Sequence, residues 1–128
     1  ELRAKYPQGC PTGQAVITRG GKLKAKYVLH AVGPVYSGKP KDAELLASAY
    51  HTCLALCSQH GIKTVAFPSI STGVYRYPVE EVGPIALRTV MAYLTTHPEI
   101  VLARFVLFDS ATYAAYRQAL AALQERLA

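Results

Sequence analysis

A chain of 128 residues, 51% of them hydrophobic, is the size of one domain and can bury a core without disulfide or metal staples. Fourteen Lys and Arg against eight acids give a formal net charge of +6. No apolar run reaches the length of a membrane span and the opening "ELRAKYPQGC" has no apolar signal core, so a cytoplasmic protein with no membrane partner is expected. "QAVIT" (14–18) reads as a short strand, followed by the turn "RGG" and a second strand centred on "KYVLHAV" (26–32), which "GP" ends. "VYSGKPK" (35–41) is loop. Lys41 or Asp42 opens an apolar-periodic helix through "AELLASAYHTCLALCSQH", which Gly61 terminates. The strand "KTVAF" follows, then a loop, then a helix through "EEVGPIALRTVMAYLTTH". Pro84 cannot donate to a carbonyl four residues back, so this helix either starts near Gly83 or bends there. A last strand, "RFVLF" (104–108), leads by "DSA" into the helix "TYAAYRQALAALQERLA". Strand and helix alternate through the second half, which predicts an α/β sandwich with a largely parallel central sheet.

The loop "FPSISTGVYRYP" (67–78) holds most of the chemistry. Pro68 should stop the ladder for want of an N–H. Ser71, Thr72 and Gly73 behind it could turn successive backbone N–H groups towards one point, which is how an anion site is built. In parallel sheets the ligand crevice lies beyond the carboxyl ends of the strands. Two connections qualify here, this loop and "DSATY", and they open on one edge if their strands are neighbours. The first could hold phosphates with Tyr75 or Tyr77 over a sugar; the second could set Phe108 or Tyr113 against a base or ribose. Serine, glycine and tyrosine are equally at home in an empty loop, so pattern alone leaves both readings open.

Charge is uneven along the chain. Residues 1–64 carry nine Lys and Arg against three acids, whereas residues 65–128 carry five of each. Lys22, Lys24 and Lys26 alternate and would line one face of a strand, where a soluble edge that resists aggregation outweighs a polyanion site. No recognition helix, zinc finger or ribonucleoprotein motif accompanies them, so nucleic acid is not the expected partner. Cys10, Cys53 and Cys57 are odd in number and lack metal-ligand spacing; Cys53 and Cys57 share a helix face as small core residues. Neither a metal nor a cofactor is expected. His30 fits a hydrogen-bonded position in or near the core, while His51, His60 and His97 fit helix surfaces and ends. Of the two aspartates, Asp42 suits a helix start, and Asp109 suits equally a helix cap and a ligand contact.

Taken together, "GCPTGQAVIT", "KLKAKYVLHAVGP" and "FPSISTGVYRYP", in this order and spacing, resemble macrodomains of the MacroD type over nearly the whole chain. The resemblance implies a three-layer α/β/α sandwich with a mixed, largely parallel sheet. It implies binding of ADP-ribose or of an ADP-ribosylated protein. By the same likeness the loop from Ser69 and Ile70 to Tyr75 wraps the diphosphate and distal ribose. Ser71, Thr72, Gly73 and Val74 would supply backbone donors, and the Tyr75 ring, the one catalytic candidate, would close over the ribose and the scissile region. Phe108 and Asp109 match positions at the adenosine end. Arg76 stands where many relatives have glycine and is expected to be partly exposed, pointing away from the diphosphate.

The family's opening strand with its adenine-recognising Asp, its "NAAN"-like segment and its glycine-rich loop with the Asp used in hydrolysis have no counterpart in residues 1–128. A single macrodomain lacking its first strands and that loop is therefore expected, N-terminally incomplete. The complete domain would remove ADP-ribose from modified acidic side chains and deacetylate O-acetyl-ADP-ribose. The alternative is a module that reads ADP-ribose, another nucleotide or nucleic acid without turnover.

Overall fold

The computed structural model describes residues 11–19, 27–72, 75–107 and 109–127. The chain order is β1 (Ala15–Arg19), β2 (Tyr27–Ala31), α1 (Lys41–Gln59), β3 (Thr64–Phe67), α2 (Val79–Thr96), β4 (Leu102–Phe105) and α3 (Ser110–Leu127). β1 and β2 pair antiparallel, from Ala15 opposite Ala31 to Arg19 opposite Tyr27. β3 and β4 pair parallel, from Thr64 opposite Leu102 to Phe67 opposite Phe105. The described sheet structure is thus two two-stranded pieces, one antiparallel and one parallel. A slot of about 1270 Å³ separates them, lined by Val28 to Ala31 of β2, Thr64 to Phe67 of β3 and Cys53 of α1.

Apolar spacing explains the helices. In α1 the buried residues Asp42, Leu46, Ala49, Tyr50, Cys53, Leu54 and Cys57 recur at three and four, so they form one stripe. The helix ends where Gly61, at φ 66°, takes the left-handed conformation. The Ile62 amide donates to the Cys57 carbonyl at 2.8 Å and the Gly61 amide to Ser58 at 3.4 Å, closing the orphan carbonyls as a Schellman motif does. The α2 stripe, Val82, Gly83, Ala86, Leu87, Val90 and Tyr93, packs against α1 on one side and α3 on the other. The core draws on Leu46, Tyr50, Leu54, Phe67, Val82, Val90 and Tyr116.

Two boundaries bear on the sequence reading. α2 runs from Val79 with Pro84 inside it, so of the two alternatives left open for this helix the start near Gly83 is not the one found. Glu80 and Glu81 favour its first turn, Val82 is fully buried there, and Gly83 lies against Ala119 and Tyr116 of α3, so packing outweighs the donor lost at Pro84. β4 occupies Leu102–Phe105 instead of 104–108, because its register is fixed by β3. Bonds from the Val101 amide to Lys63 and from the Val106 amide to Phe67, both 2.8 Å, continue that ladder at each end. The lysine row Lys22, Lys24, Lys26 and Cys10 lie outside the described residues.

Candidate ligand-binding loop

The loop between β3 and α2 leaves the carboxyl end of the parallel pair, and Asp109 stands at the same end after β4. Beneath this end the rings of Tyr50, Phe67, Phe105 and Tyr116 are in contact, with centroids 5.2–5.9 Å apart. A rigid aromatic floor of this kind resists collapse of the segment above it.

Three consecutive loop residues are tied to that floor. The Tyr50 hydroxyl donates to the Pro68 carbonyl at 3.1 Å and accepts from the Ile70 amide at 3.0 Å. Ser69 Oγ lies 2.8 Å from the Tyr116 hydroxyl. Thr72 Oγ1 donates back to the Ser69 carbonyl at 3.0 Å, and the Tyr77 amide donates to the Ser71 carbonyl at 3.0 Å. Ser71 itself is buried at φ 70°, a conformation that costs a residue with a side chain on the order of 1–2 kcal/mol. Its Oγ is buried and lacks a hydrogen-bond partner among the described residues. Strain and an unsatisfied hydroxyl at one residue are features that persist where the surroundings impose them, and they cluster at binding sites.

Part of that imposition comes from Gly33, just past β2. A Cβ on Gly33 would overlap Ser71 Oγ and Ile70 Cγ2, so only glycine lets the loop lie against the end of β2. On the far side, the Tyr36 amide donates to the Tyr75 carbonyl at 3.0 Å, and the Tyr36 and Tyr77 rings meet at 5.0 Å. Tyr75 is 37% exposed, so its ring is available at the surface, whereas Tyr77 is buried. Arg76 is exposed, at φ 60°. The Tyr36 phenol is raised above its ordinary value by the negative charge of Glu81, and burial raises that of Tyr77.

Of the residues singled out from the sequence, Ser69, Ile70, Ser71, Thr72 and Tyr75 therefore share one loop, while Gly73, Val74 and Phe108 lie outside the described residues. The Ile70 amide is already engaged by Tyr50. Asp109 caps α3: its Oδ1 accepts from the Thr112 amide at 2.8 Å and its carbonyl from the Tyr113 amide at 3.1 Å. The Thr112 amide bond holds its carboxyl below the usual range. Asp42 ties the preceding loop to α1, accepting from the Ser37 amide and hydroxyl at 2.8 Å and the Gly38 amide at 3.0 Å. His30 Nε2 bonds Thr18 Oγ1 at 2.8 Å, as a near-core histidine should. His97 stacks on Tyr93 at 3.7 Å beyond α2. Among the described residues no group of three His, Cys, Asp or Glu could hold a metal ion, and no helix is long and apolar enough to cross a membrane.

Tyr50, Tyr116, Tyr36 and Gly33 are the participants that sequence reasoning missed. The first two are hydroxyl-bearing residues on apolar helix stripes; a buried phenol must find a partner, and that was the available signal.

The chain is thus an α/β fold whose parallel strands end in a braced, strained, hydroxyl-rich loop. The Macro domain family model matches residues 1–86, and the chain belongs to that family. It is 54% identical over 112 residues to a macro domain-containing protein of Caldanaerobacter subterraneus, covering 87% of this chain and 63% of that protein. It is 49% identical over 113 residues to a Klebsiella pneumoniae protein named O-acetyl-ADP-ribose deacetylase, covering 88% and 65%. Among solved structures, the Oceanobacillus iheyensis macrodomain with ADP superposes with a TM-score of 0.92 at 36% identity, over 98% of this chain and 67% of that one. The Trypanosoma brucei macrodomain in complex with ADP-ribose gives 0.82 at 34% identity, over 88% and 47%. The chain thus spans somewhat under two thirds of the length of these curated relatives.

Proposed function

We propose that this macrodomain binds ADP-ribose, with the loop from Ser69 to Tyr75 holding the diphosphate and the distal ribose. The observation that carries the reading is Ser71: buried, left-handed at φ 70°, and placed at the carboxyl end of the parallel pair. A reversal of backbone handedness there turns neighbouring amides towards one point, and an anion held by several amides needs no side-chain cation. Residues 71–74 act through main chain, the exposed Tyr75 ring closes over the ribose, and Phe108 and Asp109 face the adenosine end. The positive excess of the chain adds long-range attraction for the diphosphate.

The reaction that follows from such a grip is hydrolysis of an ester on the distal ribose, in mono-ADP-ribosylated acidic side chains and in O-acetyl-ADP-ribose. Water adds to the ester carbonyl, the ribose oxygen leaves and takes a proton, and a carboxylic acid is released. Fixing the diphosphate positions the ester for that attack, and positioning can supply the larger share of rate enhancement. The slot between β2 and β3 supports a second element of the proposal. Two strand edges and apolar side chains line it, so strands paired across it would join β2 and β3 into one sheet.

Calorimetry of the full-length protein with ADP-ribose, followed by a hydrolysis assay on an ADP-ribosylated acidic peptide, tests both statements. Absence of measurable binding ends the reading; binding without turnover leaves a reader of ADP-ribose. Arg76→Ala is expected to change affinity by less than about tenfold, roughly 1.4 kcal/mol, because the phosphates are held by main chain.

A further inference from the structure

We infer that Tyr50 of α1 and Tyr116 of α3 are positioning residues that set the geometry of the ligand-binding loop from beneath, through their hydroxyls. The inference rests on the ADP-ribose reading of that loop. Tyr50 is fully buried, and its hydroxyl donates to the Pro68 carbonyl and accepts from the Ile70 amide, with the Tyr116 hydroxyl beside it as a further hydrogen-bond partner. Those two groups flank Ser69, whose hydroxyl bonds Tyr116. Residues 68, 69 and 70 are thus each tied to a helix phenol immediately before the chain turns left-handed at Ser71.

No purely packing role requires this arrangement. A phenylalanine at 50 would keep the ring contacts with Phe67 and Phe105 at 5.3 and 5.9 Å. It would leave the Pro68 carbonyl and the part-buried Ile70 amide without the phenol that joins them, and the loop would be free to move towards other partners. Burial raises both phenols, Tyr50 well above its ordinary value, so each stays protonated and keeps its donor throughout the physiological range. Two different helices hold the loop, so its position reports the packing of α1 and α3 alike.

Tyr50→Phe and Tyr116→Phe in the full-length protein test this, with ADP-ribose and adenosine as probes and amide hydrogen exchange as an independent readout. Tyr50→Phe is expected to weaken ADP-ribose binding about tenfold, leave adenosine binding within about twofold, and speed exchange at the Ile70 amide about tenfold. Core amides of α2 should keep their protection. Tyr116→Phe, which removes its side-chain bonds to Ser69 and Tyr50 and no main-chain bond, is expected to cost about threefold in ADP-ribose affinity. It carries the test alone if Tyr50→Phe does not fold. An unchanged ratio of ADP-ribose to adenosine affinity in the folded variants, or unaltered Ile70 exchange in Tyr50→Phe, overturns the inference while the ADP-ribose reading stands. A wild-type protein that binds no ADP-ribose overturns both, and does so before any variant is made.

Discussion

The contact between α1 and α2 and the loop above β3 differ in residue type and store free energy in opposite ways. In the helical layer Leu46, Leu54 and Val82 are fully buried in regular backbone. In the loop Ser71 and Arg76 are the two described non-glycine residues at positive φ, and Ser71 keeps a buried hydroxyl unpaired. One region supplies stability and the other spends part of it to hold a shape that the chain would not adopt alone. Tyr50 belongs to both, packing with one end and hydrogen-bonding the loop with the other.

The sharpest way to break the comparison is at its stable side. Leu54→Ala should cost about 2–5 kcal/mol of unfolding free energy, because it leaves a cavity in a fully buried stripe. Chemical denaturation measures the loss, and ADP-ribose affinity of the fraction that remains folded should stay within about twofold of wild type. A large affinity loss would mean that core and loop are one mechanical unit. Gly33→Ala attacks the other side. Its Cβ would overlap Ser71 Oγ and Ile70 Cγ2, so the loop must shift, at about 1–3 kcal/mol by the usual cost of overpacking. Here affinity should fall more than stability does, as calorimetry beside a thermal melt would show.

How much of this was legible beforehand depends on the range of the interaction. The seven described elements follow from apolar period and from Gly61 and Pro68, which act within a few residues. Which of its two alternatives α2 takes did not follow, because Gly83 lies against Tyr116 and Ala119 of α3, more than thirty residues away. The candidate loop stands out in "SISTG" because hydroxyls and glycine concentrate there. Its supports do not, since Tyr50 and Tyr116 look like any aromatic on a helical stripe until the fold places them beneath Ser69. Gly33 likewise reads as a strand terminator, and only the crossing of the loop gives it a second task.

A smaller effect separates the loop from its neighbour at Ser37. Asp42 holds its carboxyl below the usual range because the Ser37 amide donates to it, helped by the Ser37 hydroxyl and the Gly38 amide. A depressed folded value means that this contribution is complete above the unfolded carboxylate pKa, near about 3.9, and is lost as pH falls through the lower folded value. Asp42→Asn should therefore be less stable than wild type at about pH 6, and the gap should close in acid below about pH 3. Denaturation at the two pH values checks the sign. A gap that widens in acid would mean that Asp42 is not the group being titrated.

Arg76→Gly is the mildest change and bears most directly on stored strain. At φ 60° an arginine carries a penalty that glycine does not, of order 1–2 kcal/mol in the folded state. Glycine also gives the unfolded chain more freedom, which takes back about 0.5–1 kcal/mol. The net expectation is a gain of up to about 1 kcal/mol in unfolding free energy, with ADP-ribose affinity unchanged or slightly weaker as the loop gains mobility. The arginine is exposed, so little packing is forfeited to confuse the result. A loss of stability instead would show that the side chain, through contacts with Tyr75 or Tyr77, holds the loop in its turn, and the strain at this position would then be supported locally instead of by the helices beneath.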